Sequence, residues 1–196
     1  TYVLFMGDYG AATPWNDSSV KGCKRFLERV AGLSDLMTEE DVPQLEGPLH
    51  KTIKKVTSDI EEMKFNTGIA SLMAFLNTVY DTGKIGRNQL TDYLKLLCPF
   101  APHLCEEMWE NMGGEGFISL AEWPSYDEAK TIDQTVEIGI QVNGKPRSTV
   151  TVPTGSAKED VLAAAKANEK IASLLEGKNL VKEIYVPNKI VNFVVK

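Results

Sequence analysis

The sequence predicts an α-helical bundle followed by a small α+β domain with the order ββαββ. Three observations carry this. Leu49, Ile53, Val56, Ile60 and Met63 are spaced by four, three, four and three residues, one apolar stripe on a helix. Val136, Ile138, Ile140 and Val142 alternate with Glu137, Gly139 and Gln141, the period of a half-buried strand. Asn143-Gly144 follows that strand and is the strongest two-residue hairpin signal.

The elements follow in order. Asp17 or Ser18 caps a first helix with Val20, Cys23, Leu27 and Val30 on its apolar face. Residues 34–47 are polar, acidic and broken by Pro43 and Gly47, which reads as a loop with at most a turn of helix. Pro48 opens the striped helix. Asn66 or Thr67 caps the next, whose inner face is Ile69, Leu72, Met73, Leu76, Val79 and Tyr80, and Gly83 and Gly86 end it. A helix from about Asn88 is interrupted by Cys98-Pro99-Phe100-Ala101-Pro102-His103, because each proline removes a donor and restricts its predecessor. It resumes through Leu104, Met108 and Trp109 and stops at Gly113-Gly114. Amphipathic helices on short connections make a bundle.

After the Val136–Val142 strand and its turn, Ser148–Val152 returns as a second strand. Ser156 caps one helix that runs to Leu175. Lys182–Val186 and Ile190–Val195 form a second hairpin around Pro187-Asn188. The expected division is a bundle over 1–125, a linker over 126–134 after Trp123-Pro124-Ser125, and the α+β domain over 135–196.

Composition narrows the function. The 196 residues are 43% hydrophobic and 24% charged, which excludes a disordered or collagen-like chain. No apolar run reaches the roughly 18–20 residues that span a bilayer. Three cysteines fit reduced thiols in the cytoplasm better than a disulfide framework. No signal peptide is expected, and the apolar Tyr2–Met6 start reads as the inside of a longer element. The net charge is −6, against the basic balance usual in nucleic-acid binders. The charge is uneven: residues 1–125 carry 11 basic and 18 acidic residues, residues 126–196 carry 10 and 9.

Local charge decides contact. Lys21, Lys24, Arg25 and Arg29 crowd one helix, and Lys51, Lys54 and Lys55 another. On charge alone both groups read first as solvated helix faces, since charge runs usually solvate. Lys145 and Arg147 follow the Asn143-Gly144 tip, and Lys189 marks the other hairpin, at the same end of the sheet or the opposite one. These are phosphate contacts or charges that guard exposed strand edges. No catalytic residue is expected. His50 and His103 are the only histidines, so a hydrolytic triad fits poorly. Cys98, His103 and Cys105 lack metal-ligand spacing, so no metal site is expected. No Gly-rich phosphate loop is present.

Leu96-Leu97-Cys98-Pro99-Phe100-Ala101-Pro102-His103-Leu104-Cys105-Glu106-Glu107-Met108-Trp109 resembles a run in the helical bundle behind the catalytic domain of class I aminoacyl-tRNA synthetases. Gly22, Arg25, Phe26, Leu27 and Arg29, with Trp15 upstream, resemble another helix of that bundle, and Phe65-Asn66-Thr67-Gly68-Ile69-Ala70 a third. These motifs are shared by the leucine, isoleucine and valine enzymes. Gln141–Arg147 and Ile184–Val195 resemble the C-terminal domain of the bacterial-type leucyl family. Ala31-Gly32 and the acidic Glu39-Glu40-Asp41 depart from the family pattern.

The resemblance implies a tRNA-binding region without catalytic or editing motifs. It implies no cofactor here, with ATP and Mg belonging to the parent's catalytic domain. The implied partners are leucine tRNA and the catalytic and editing domains of the same full-length chain, in a cytoplasmic monomer. The bundle would lean on the inner side of the tRNA, and the small domain would touch the corner where the D and T loops meet. Two alternatives stand: a protein-docking module, and the equivalent region of an isoleucyl or valyl enzyme. A third, an enzyme using Cys105 and His103, requires a reactive thiol.

Overall fold

The computed structural model describes residues 1–7, 10, 12, 14–132 and 135–196. The chain divides into two compact units, Thr1–Ile132 and Asp133–Lys196.

In the first unit a helical turn α1 (Tyr2–Phe5) precedes α2 (Asp17–Ala31). The cap of α2 is Asn16, one residue before the expected position, and its side chain accepts the Ser18 N–H at 2.9 Å. Cys23, Phe26 and Val30 are buried, so the inner face of α2 includes Phe26, which the expected stripe omitted. A 3-10 turn (Gly32–Leu36) leads to β1 (Met37–Thr38).

The striped helix α3 spans Pro43–Glu61 and starts five residues before Pro48. Pro43 sits at its first turn, where no intrahelical donor is needed. Burying Leu45 completely extends the stripe through Leu49, Ile53 and Val56 and carries Pro48 inside the helix. At the other end the stripe is shorter than expected. Met63 lies past the helix, left-handed at φ 56° and exposed.

Helix α4 (Phe65–Thr82) has no side-chain cap and ends at Gly83, whose φ of 77° suits a residue without Cβ. Its Tyr80 is exposed rather than core, and the hydroxyl donates to the Arg29 carbonyl at 2.8 Å. The two-residue β2 (Ile85–Gly86) pairs in parallel with β1, a contact the sequence pattern did not signal. Helix α5 (Arg87–Leu97) and α6 (Pro102–Asn111) flank the expected proline break. Buried Gln89 ties the start of α5 to the start of α3. Its oxygen accepts from Val42 N–H (2.9 Å) and Gly86 N–H (3.1 Å), and its NH₂ donates to the Val42 carbonyl (2.9 Å). The core is closed by Phe75 and Tyr93, rings 5.4 Å apart, with the Tyr93 hydroxyl donating to Leu72 O at 3.2 Å.

The expected linker 126–134 needs correction as far as Ile132. A 3-10 turn (Glu128–Thr131) lies on α3 and belongs to the first unit. Three polar contacts hold it: Lys54–Glu128 at 2.5 Å, Lys130–Glu46 at 2.6 Å, and the Asp127 N–H donating to His50 Nδ1 at 3.1 Å. Residues 133 and 134 of that stretch lie outside the described residues.

The second unit is a four-stranded mixed sheet with helices packed against it. The strands are β3 (Thr135–Val142), β4 (Lys145–Pro153), β5 (Leu180–Val186) and β6 (Ile190–Val195), in the order β4-β3-β6-β5. The two central strands run parallel, Gly139 beside Ile190 and Val142 beside Phe193. The single helix expected between the hairpins is two: α7 (Lys158–Ala167) and α8 (Glu169–Leu175). Asn168 breaks it with an extended ψ of 121°. Its carbonyl accepts from Ile171 and Ala172 N–H, so it ends one helix and starts the next. Ser156 is not the cap; its hydroxyl donates to the Pro153 carbonyl at 2.6 Å. Ile138, Ile140, Val161, Val191 and Phe193 form the core of this unit.

Candidate nucleic-acid interface

Most of the basic residues of the first unit already have a use. On α2, Lys24 pairs with Glu28 at 3.6 Å across an exposed helical turn. Arg29 donates to Asn77 Oδ1 at 2.8 Å, and its guanidinium lies 4.5 Å from the centre of the Tyr80 ring. On α3, Lys54 binds Glu128, and Lys55 binds buried Asp59. The Glu128 hydrogen bond raises the Lys54 pKa. Lys51 is half-buried on the same helix. Lys21 and Arg25 differ. They are exposed one turn apart on α2 and pair with no described residue. Arg25 and Arg29 both line a groove of about 420 Å³ floored by Phe5, Phe26 and Met73. Gly22 also lines it, and a Cβ there would meet nothing within 4 Å.

The second unit holds its cations differently. Of nine basic residues in 133–196, only Lys166 makes an ion pair among the described residues, with Glu183 at 2.6 Å. Asn143 (φ 53°) and Gly144 (φ 75°) are both left-handed, as a type I′ turn requires. This lifts exposed Lys145 and Arg147 to the end of the sheet. The parallel β3–β6 register settles the position of Lys189. Strand β6 begins beside Gly139, so its preceding turn faces the end opposite Asn143-Gly144. The cations expected on the two hairpins, Lys145 and Arg147 on one and Lys189 on the other, therefore lie toward opposite ends of the sheet.

The Asn143 end gathers residues that local sequence reading missed. Asn179 and Lys196 exchange backbone hydrogen bonds of 2.9 and 3.0 Å there, and Lys182 stands opposite Val194. Lys178, Lys182 and Lys196 thus join Lys145 and Arg147 on one end of the sheet. These are isolated charges in sequence, and the strand order brings them together.

The catalytic alternative finds little chemistry. Cys98 and Cys105 are buried, and burial pushes the Cys105 thiol far above its ordinary range, away from the nucleophilic thiolate. Among the described residues no group of three or more His, Cys, Asp or Glu could hold a metal ion. None of the described helices is long and apolar enough to cross a membrane.

Residues 45–163 match the family model of the anticodon-binding domain of tRNA ligase. The chain belongs to that family. The match begins in α3, crosses the boundary between the two units and ends in α7, so the anticodon-binding match is not confined to the helical bundle. The whole chain is 47% identical to a leucine–tRNA ligase of Alkaliphilus oremlandii and 42% identical to one of Bdellovibrio bacteriovorus. It spans about a quarter of the length of these relatives, 25% and 26%. A solved structure, the ternary LeuRS–tRNA–LeuAMS complex of Agrobacterium radiobacter K84, matches the whole chain with a TM-score of 0.72 at 32% identity and is 28% covered. For this anticodon-binding-type chain, the resemblance to class I synthetases agrees with the family model, and the narrower resemblance to the leucyl family agrees with the relatives and the solved structure.

Proposed function

We propose that this chain is a tRNA-binding part of a leucine–tRNA ligase and positions leucine tRNA for the whole enzyme. The likeness to leucine–tRNA ligases over the full chain carries this reading. In the whole ligase, ATP and Mg would act in the catalytic domain, and the chain would hold the tRNA body so that the acceptor end reaches the synthetic or editing site. That is a proximity effect, without bond chemistry in these residues. The geometry supports shape and backbone recognition. Placed cations on an acidic chain grip phosphates locally, which needs no basic protein overall. Lys21 and Arg25 on one unit, and Lys145, Arg147, Lys178 and Lys196 on the other, are the groups we assign to phosphate contact. We place the ligase in the cytoplasm, as a monomer.

The test is binding of this chain to leucine tRNA and to an unrelated tRNA, each across a salt titration. Tighter binding to leucine tRNA, weakening as salt rises, is expected. Binding to neither at low salt would sink the reading and leave a docking module.

A further inference from the structure

The sequence contains one Asn-Gly pair, Asn143-Gly144, the dipeptide with the least steric protection against side-chain attack by its own backbone. We propose that Asn143-Gly144 is a latent deamidation site held unreactive by strand β6. The Asn143 amide is converted only in chains where the end of β6 has come away.

The reaction needs the Gly144 backbone nitrogen to attack Asn143 Cγ. The new N–C bond displaces the side-chain nitrogen, which leaves as ammonia with the Gly144 proton. Solvent water then opens the cyclic imide to an aspartate or an isoaspartate. The fold occupies both reacting groups. The Gly144 N–H donates to Asn192 Oδ1 at 3.0 Å. The Asn143 amide makes two bonds to one residue: Nδ2 donates to the Val195 carbonyl at 3.1 Å, and Oδ1 accepts the Val195 N–H at 2.9 Å. The Asn143 backbone N–H donates to the Phe193 carbonyl at 2.9 Å. The side chain therefore acts as one more rung of the β3–β6 ladder, beyond the Val142–Phe193 pair. All the restraining groups belong to β6, so attack requires β6 to open first.

The product cannot be taken back into the fold. A carboxylate at 143 has no proton for the Val195 carbonyl and sets two oxygens against each other. An isoaspartate adds a backbone carbon to the two-residue turn and so displaces the Gly144 N–H from Asn192 Oδ1.

The test is peptide mapping by mass spectrometry after incubation of the whole chain at mildly alkaline pH, native and in denaturing urea. Conversion at Asn143 should be slower by more than about tenfold in the native chain, because it requires local opening. The Asn192→Leu variant should convert severalfold faster than the parent while native. The Asn192→Asp variant keeps an acceptor for Gly144 and should stay slow. Equal rates in native buffer and urea would overturn the proposal, as would a folded Asn192→Leu chain no faster than the parent. If Asn192→Leu does not fold, hydrogen exchange at Gly144 in the parent decides. Strong protection supports the guard, and exchange at the unfolded rate refutes it. RNA binding is not among the readouts, so failure of the tRNA reading leaves this outcome intact.

Discussion

The two units use basic residues in opposite ways. In the helical unit, Lys54 and Lys130 fasten the 126–132 segment to α3, Arg87 makes a two-pronged bond to Glu39 at 3.0 Å, and Arg29 binds Asn77 and Tyr80. In the sheet unit, the side chains of Lys145, Arg147, Lys178, Lys182, Lys189 and Lys196 make no ion pair among the described residues. Charge density along the sequence would rank α3 first as an RNA contact, whereas pairing ranks the sheet end first. A lysine already bound to a carboxylate must give up that partner before it neutralises a phosphate, so its net gain is small.

The largest expected effects test whether the two cores are independent. Phe193→Ala should cost about 3–5 kcal/mol and unfold the sheet unit, while helical circular dichroism from the bundle persists in a urea titration. Leu94→Ala should cost about 2–5 kcal/mol in the bundle and leave the sheet-unit transition in place. A single shared transition in both variants would break the comparison.

Gln89→Leu comes next. It strands the Val42 N–H and C=O and the Gly86 N–H in a buried site, at about 1–3 kcal/mol for each group left without a partner. The loss should appear as a lower urea midpoint with an unchanged slope. No loss would mean that water replaces the amide.

The contrast in cations is tested by charge removal. Lys145→Ala or Lys178→Ala should weaken RNA binding and reduce the salt slope by about one. Lys54→Ala should leave that slope unchanged and instead loosen the 126–132 segment, read as faster proteolysis there. A larger effect of Lys54→Ala on the slope would reverse the ranking.

The smallest effect is pH-dependent. Burial raises the Asp92 carboxyl pKa, with Lys95 at 3.8 Å opposing it. A carboxyl raised in the folded state favours the fold while protonated. That contribution is lost as pH rises from the ordinary carboxylate range, about 3.9, through the raised value. Asp92→Asn should therefore raise the melting temperature slightly at neutral pH and have no effect at strongly acid pH. An equal rise at both would assign the gain to packing.

Much of the fold was legible because it is local. The stripes of α3 and α4, the proline break before α6, and the Asn143-Gly144 turn all follow from spacing or a special backbone conformation. Boundaries were less legible. Pro48 reads as a start, yet the burial of Leu45 carries α3 back to Pro43. Asn168 reads as an ordinary helix residue, yet its backbone leaves the helix to cap the next one. Tyr80 reads as core, yet its ring and hydroxyl serve Arg29.

The candidate interface was half legible. The individual cations are plain in the sequence, and their grouping is not. Lys178 and Lys196 are far from Lys145 along the chain and reach its end of the sheet only because β6 lies parallel to β3. By itself the sequence determined the element types, the hairpin turns and the family resemblance, because each rests on residues a few positions apart. The tertiary structure alone decided that Lys54 and Lys130 are bound by partners far along the chain, that the two hairpin tips point to opposite ends of the sheet, and that β6 closes over Asn143-Gly144. Those outcomes depend on contacts between segments distant in sequence, which no local period encodes.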